Sequence, residues 1–180
     1  MKILFFSDIH GITNNLSIIE EKMVSENIDK LVCLGDLYYA GPNYDNMYRN
    51  NSKGVFDFLM KYRKKLICMM GNCDSYVDVK ASDFPINNGI SLINVDGFDI
   101  YITHGHEYNF EKREKFNHKG VLVYGHKHVP YIKKNEDMIY VCVGSISLPR
   151  DGSLSSYAIY DNSIITIYDI DGNIIDSVKL

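Results

Sequence analysis

Ile3-Leu4-Phe5-Phe6-Ser7-Asp8-Ile9-His10 is the stretch on which the fold turns. It opens with four apolar residues in a row and closes on Asp-x-His. A short unbroken apolar run bounded by polar residues reads as a strand buried on both faces. The polar pair that follows then stands at the strand's carboxyl end, where open α/β sheets gather their ligands.

Working outward, Thr13 to Ser25 carries Leu16, Ile19 and Met23 at helical spacing, with Thr13 or Asn14 as the expected cap. Leu31–Leu34 is a second apolar run. Tyr38 to Asn51 has four Asn, one Gly and one Pro and no apolar period, so a long loop is expected there. Ser52 is the expected cap of a helix bearing Val55, Phe56, Leu59 and Tyr62, and Leu66–Met70 is a third apolar run. The order β-α-β-α-β predicts parallel strands with right-handed crossovers.

Beyond these the pattern changes. Ile90–Val95 and Phe98–Thr103 flank Asp96-Gly97, the signal of a hairpin with a primed turn. Glu107–Phe116 predicts a charged surface helix. Val121–Tyr124 and Ile139–Val143 predict two more buried strands. Tyr157–Asp161, Ile164–Ile170 and Ile174–Val178 are parted by Asn162-Ser163 and Asp171-Gly172 and predict an antiparallel meander. No repeat and no linker divides the chain, so residues 1–180 are expected to form one domain.

Composition narrows the class. The 180 residues are 46% hydrophobic and 23% charged, as in an ordinary soluble globular protein. Nineteen Lys and Arg against 23 Asp and Glu give a net charge of −4, which argues against bulk nucleic-acid binding. A small phosphate-bearing substrate held by metal is compatible with that balance. No stretch comes near the roughly 18 apolar residues of a membrane span, and a cytoplasmic location is expected. Cys33, Cys68 and Cys142 lie in apolar runs and read as small core residues, and C-x-x-C is absent.

Polar clusters follow five of the apolar runs: Asp8-x-His10, Gly35-Asp36, Gly71-Asn72-Cys73-Asp74, His104-Gly105-His106 and Gly125-His126-Lys127-His128. Taken singly, each has a plain structural reading: Asp8 as a helix cap, Asp36 and Asn72 as turn residues. Together they place five of the six histidines at strand ends and leave only His118 as a surface residue. Imidazoles and carboxylates without thiolates suit manganese, iron, zinc or nickel. Two carboxylates, four imidazoles and an amide are too many donors for one tetrahedral zinc and about right for two ions sharing a carboxylate. A pair about 3.5–4 Å apart clamps a phosphate and acidifies the water between.

These residues, in this order and spacing, resemble the calcineurin-like metallophosphoesterases. Gly71-Asn72-Cys73-Asp74-Ser75, Thr103-His104-Gly105-His106, Leu122–His126 and Gly144-Ser145-Ile146-Ser147 narrow the resemblance to the YfcE-type phosphodiesterase family, over essentially the whole chain. The resemblance implies two facing mixed β-sheets flanked by helices, an α/β/β/α sandwich. It implies Asp8, His10, Asp36 and His128 at one metal, and Asp36, Asn72, His104 and His126 at a second, with Asp36 as the bridge. Manganese is the expected ion, with nickel, iron and zinc as alternatives.

Where the wider superfamily carries His after the metal-binding Asn, this chain has Cys73, so His106 or Cys73 is the candidate contact to phosphate or leaving group. Asn43 stands where related proteins often have Arg and is the candidate substrate contact. Lys127 replaces a residue that is usually small and polar.

The implied activity is hydrolysis of a small phosphodiester by a hydroxide bridging the two ions. The alternatives are a phosphomonoesterase and a protein-binding scaffold like the retromer subunit that resembles this fold. All seven ligand positions are filled, which favours the enzyme. Self-association into a homo-oligomer is also implied, with the meander's edges as candidate pairing surfaces.

Overall fold

A computed structural model describes residues 1–39 and 50–180. Asn43 and most of the expected loop lie outside the described residues. A seven-stranded sheet has the order β12-β11-β10-β1-β2-β3-β4. Its strands are β1 (Ile3–Phe6), β2 (Lys30–Cys33), β3 (Leu66–Met69), β4 (Ile86–Asn87), β10 (Ser156–Asp161), β11 (Ile164–Asp169) and β12 (Ile174–Lys179). A five-stranded sheet has the order β5-β6-β7-β9-β8. It is built from β5 (Ile90–Val95), β6 (Phe98–Thr103), β7 (Gly120–Tyr124), β8 (Pro130–Asn135) and β9 (Met138–Val143).

Both sheets are mixed. β1 to β4 are parallel, and β10–β11–β12 is the expected antiparallel meander, joined to β1. β6, β7 and β9 are parallel, with β5 and β8 antiparallel at the edges.

The apolar runs are unbroken because each central strand is buried twice. Ile3 and Phe5 of β1 meet Val121 and Val123 of β7 in the core between the sheets. Leu4 and Phe6 face away, under helices α1 (Leu16–Ser25) and α2 (Ser52–Lys61). Likewise Leu122 and Tyr124 face outward and pack under Phe116. This is the expected sandwich with one substitution of detail. The outer cover of the second sheet is a 3-10 helix, Phe110–Lys115, kinked at Lys112, where Glu107–Phe116 predicted a regular helix.

Helix caps differ from expectation by a residue. Asn51, not Ser52, caps α2, its Oδ1 accepting from Gly54 N at 2.9 Å. Asn15, rather than Thr13 or Asn14, stands at the start of α1, and its amide donates to the Ile146 carbonyl at 2.7 Å. Among the described residues no helix is long and apolar enough to cross a membrane.

Candidate metal centre

Parallel pairing is what assembles the site. The β1–β2 ladder runs on past both strands, with Asp8 N donating to Gly35 O at 3.0 Å and His10 N to Asp36 O at 2.9 Å. That sets Asp8, His10 and Asp36 side by side. β3 lies next to β2 and delivers Asn72, while the β6–β7 pair delivers His104, His126 and His128, with Gly125 N donating to His104 O at 2.9 Å.

The two sheets touch here. His126 N donates to Asp8 Oδ2 at 2.9 Å, and Gly125 packs so closely that a Cβ there would lie 2.0 Å from Ser7 Oγ. A Cβ on Gly71 would lie 2.0 Å from Asp36 Oδ1. Five of the seven candidate residues hold left-handed backbone: Asp8, His10, Asp36, His126 and His128 have φ of 57°, 52°, 56°, 63° and 60°. Residues other than glycine adopt that region at a cost, and such outliers collect at functional sites.

The side chains converge. Asp8 Oδ1 lies 3.2 Å from His128 Nε2 and 3.7 Å from His10 Nε2. Asp36 Oδ2 lies 3.6 Å from His10 Nε2 and 3.4 Å from His104 Nε2. Asn72 Oδ1 is 3.0 Å from His104 Nε2. The opposite ring nitrogens are held by backbone carbonyls. His10 Nδ1 donates to Tyr39 O at 2.6 Å, His104 Nδ1 to Leu34 O at 2.8 Å, and His128 Nδ1 to Leu148 O. Donation from Nδ1 turns each Nε2 toward the carboxylates, where it carries a proton in the imidazolium form and a lone pair when deprotonated to ligate a cation. His126 has its ring 5.1 Å from that of His104.

Charge is concentrated without bulk water. Asp8, His10, Asp36, His104 and His128 are all buried. Burial, the largest influence on Asp8, raises its pKa, yet His10, His128 and His104 together bring it well below the usual carboxylate range. Asp36 is likewise lowered against its burial, by His104. Burial lowers His104, but Asp36 and Asp8 more than reverse this and raise it to about 9. His126 is pushed down to about 4 by burial and by His104. Asp8 Oδ1 is buried with no hydrogen-bond partner. An orphaned carboxylate oxygen among imidazole lone pairs fits a cation, since an uncompensated buried charge is otherwise costly. Three sets of donors, Asp8-His10-His128, Asp8-Asp36-His104 and His10-Asp36-Cys73, each have their ligand atoms within 4.8 Å of one another.

The remaining candidates also fall nearby. Cys73 is half-buried, its N–H donating to Asp36 Oδ1 at 2.8 Å and its sulfur accepting from Asn72 Nδ2 at 3.4 Å. Burial, then Asp36, pushes its thiol up to about 12. His106 sits with its ring 5.5 Å from that of His104. Burial and the neighbouring His104 lower its pKa. Lys127 pairs with Glu111 at 3.3 Å. His118 is exposed, over the edge of Phe116 and Tyr101.

Two supporting residues carry roles the sequence reading did not assign. Asp74 is buried and accepts from Asp36 N at 2.9 Å, Leu37 N at 2.7 Å and Gly71 N at 2.8 Å, tying the turn after β2 to the turn after β3. Ser145 Oγ donates to Asp8 O at 2.8 Å and accepts from Leu148 N at 2.8 Å. The signal for Asp74 is its place at the end of the Gly71–Asp74 cluster, where a carboxylate can reach the N–H that opens the same turn.

A family model described as the calcineurin-like phosphoesterase superfamily domain matches residues 1–163. The chain belongs to that superfamily. Membership makes it a metal-binding phosphoesterase, and the sequence expectation of the family is met. Phosphodiesterase YfcE of Escherichia coli K12 is 32% identical over 167 residues, covering 93% of this chain and 91% of that one. A solved structure of YfcE, described as a phosphoesterase from E. coli, superposes with a TM-score of 0.91 over 99% of both chains. A probable metallophosphoesterase of Bacillus subtilis, YsnB, is 25% identical over 99% of this chain and 97% of its own. The Vps29 protein of Entamoeba histolytica, solved with zinc, shares the fold at a TM-score of 0.62 and 18% identity, over 99% of both chains.

Proposed function

We propose that residues 1–180 form one metallophosphoesterase domain that hydrolyses a small phosphodiester with two divalent ions, manganese first among them. Asp8, His10, Asp36 and His128 would hold one ion, and Asp36, Asn72, His104 and His126 the other. The observation that carries this reading is Asp36 Oδ2, which lies 3.6 Å from the Nε2 of His10 and 3.4 Å from that of His104. A carboxylate so placed reaches one ring of each proposed ligand group.

Ions held there would supply the acidity that turns a bound water into a nucleophile and the positive charge that meets the phosphate oxygens. The chain's own part is to hold the donors fixed. Nδ1 donation to three carbonyls locks three rings, and Asp74 fixes the backbone that carries Asp36. Cys73, whose N–H is bound to Asp36, would offer its thiol to a phosphate oxygen, and His106, its ring 5.5 Å from that of His104, is the second candidate contact to the leaving group. Asn43 keeps its reading as a substrate contact. A cytoplasmic location agrees with four unpaired thiols.

Diesters are favoured over monoesters. Cys73 stands where a cationic imidazole would meet a dianion, and Lys127 is engaged by Glu111. With methyl p-nitrophenyl phosphate and p-nitrophenyl phosphate, which share a leaving group, kcat/KM should favour the diester by about tenfold, roughly one hydrogen bond to a charged group. Equal values or a monoester preference would refute the diester reading. Metal titration that finds no ion at saturation would instead favour the scaffold.

A further inference from the structure

Two clefts adjoin the centre on the side of His10, and they differ in chemistry. The first, about 410 Å³, lies between the turn after β2, the first turns of α2, and helix α3 (Tyr76–Ala81). Its wall is mainly apolar and includes Tyr38, Tyr39 and Phe56. The second, about 390 Å³, is lined by Thr13, Asn14, Asn50 and Asn51, all uncharged. Asn50 already bonds Tyr38 O and Ser52, and Asn51 Oδ1 caps α2, which leaves Thr13, Asn14 and the Asn51 amide N–H groups to meet a ligand. Asn50 belongs to both.

The link to the centre is short. Tyr39 O accepts from His10 Nδ1 at 2.6 Å, so the residue that walls the aromatic cleft also orients a candidate metal ligand. Tyr38 is fixed in place, its hydroxyl paired with Ser82 Oγ at 2.8 Å. Tyr39 is 44% exposed and lines the aromatic cleft, while its carbonyl holds His10. The one Lys or Arg among the described lining residues is Lys53, which pairs with Asp57 at the solvent-exposed rim and holds its ammonium 5.6 Å from the centre of the Phe56 ring. A flat apolar group and a hydroxyl-bearing group fit the pair of clefts.

We infer that the two clefts form a nucleoside subsite, the aromatic one taking the base by stacking on Tyr39 and Phe56 and the amide-lined one taking the sugar hydroxyls. The inference rests on the phosphodiesterase reading for what is hydrolysed, and it adds the substrate class: a phosphodiester with a nucleoside on one side. Base stacking on aromatic side chains is sequence-tolerant, so the subsite sets nucleoside against alkyl rather than one base against another.

Two measurements test it separately from the activity. The p-nitrophenyl ester of thymidine 5′-monophosphate and methyl p-nitrophenyl phosphate share a leaving group and differ in the retained group. Wild type should favour the thymidine ester in kcat/KM by about fivefold or more, the low end of base-on-aromatic stacking. Tyr39→Ser and Phe56→Leu should each pull that ratio toward one, mainly through KM. Equal kcat/KM for the two esters in wild type, or a ratio unmoved in both variants, overturns the subsite.

Thymidine itself, added to the EDTA-treated chain at millimolar concentration, should shift the NMR signals of Tyr39 in wild type. No shift overturns the subsite as well. If neither ester is hydrolysed, the phosphodiesterase reading fails, and thymidine binding to the metal-free chain still decides the cleft.

Discussion

Asp36 does two things with one carboxylate. Oδ2 faces His10 and His104, while Oδ1 accepts from Cys73 N and braces the turn after β3. Asp36→Asn preserves size and that amide contact but removes the charge. It should leave the chain folded, lower the bound metal from two ions to one or fewer, and cut diester hydrolysis by several orders of magnitude. Full activity, or two ions still bound by elemental analysis, would refute the bridge. Cys73 is a milder case. Cys73→Ser keeps a donor at that position and should retain at least a few per cent of activity on a diester with a nucleoside leaving group. A loss near the thousandfold typical of general acid–base catalysis would make Cys73 the leaving-group acid instead.

At the scale of elements, the site depends on how two turns are bound together. Asp74 accepts three backbone N–H groups from the turns after β2 and β3. Asp74→Ala leaves those donors buried and unsatisfied, which should cost about 3 kcal/mol and lower metal affinity with it. Urea unfolding and manganese titration of the variant would show both effects, and an unchanged midpoint would refute the role.

The elements themselves were unequally legible. β1, β2, β3 and β7 announced themselves as unbroken apolar runs because the sandwich buries both faces of each. Asp96-Gly97, at φ of 51° and 84°, formed the expected primed turn. β8 was missed because Pro130 opens it and Lys133 and Lys134 sit on it, the residues of an edge strand and not of a core. β4 has two residues, too few for any period. α3 buries nothing, so no apolar stripe marks it, and its only signal is the capping box of Ser75 and Asp78. The seven site residues were legible by type and position. Their convergence was not, since strand order and the stacking of two sheets leave no trace in the spacing along one chain.

At the scale of the whole molecule, the buried charges tie stability to pH. Without metal, burial lowers His104 but Asp36 and Asp8 raise it to about 9, above its ordinary 6.5. A group raised in the folded state contributes stability in full below its unfolded pKa and loses it as pH climbs through the folded one. The EDTA-treated chain should therefore melt at falling temperature from about pH 6.5 to about pH 9, measured by calorimetry. Metal requires the unprotonated ring, so the gain in Tm on adding manganese should grow over that window. A metal-free Tm that is flat across it would refute the coupling.

The five left-handed residues at the strand ends have a bearing on descent. Each is held in a conformation that glycine would adopt freely, at a cost of order 1 kcal/mol or more per residue. The chemistry is thus maintained against the preference of its own backbone. A lineage released from selection for catalysis could relax these positions one by one, trading ligands for residues at ease with φ near 60°, and keep the sandwich intact throughout. In the metal-free state His126→Gly should melt no lower than wild type, because the N–H to Asp8 survives and relief at a φ of 63° offsets the ring packing lost against His104. Loss of function here runs downhill in folding energy, and a member of this fold that has shed its metals need not have lost any stability in doing so.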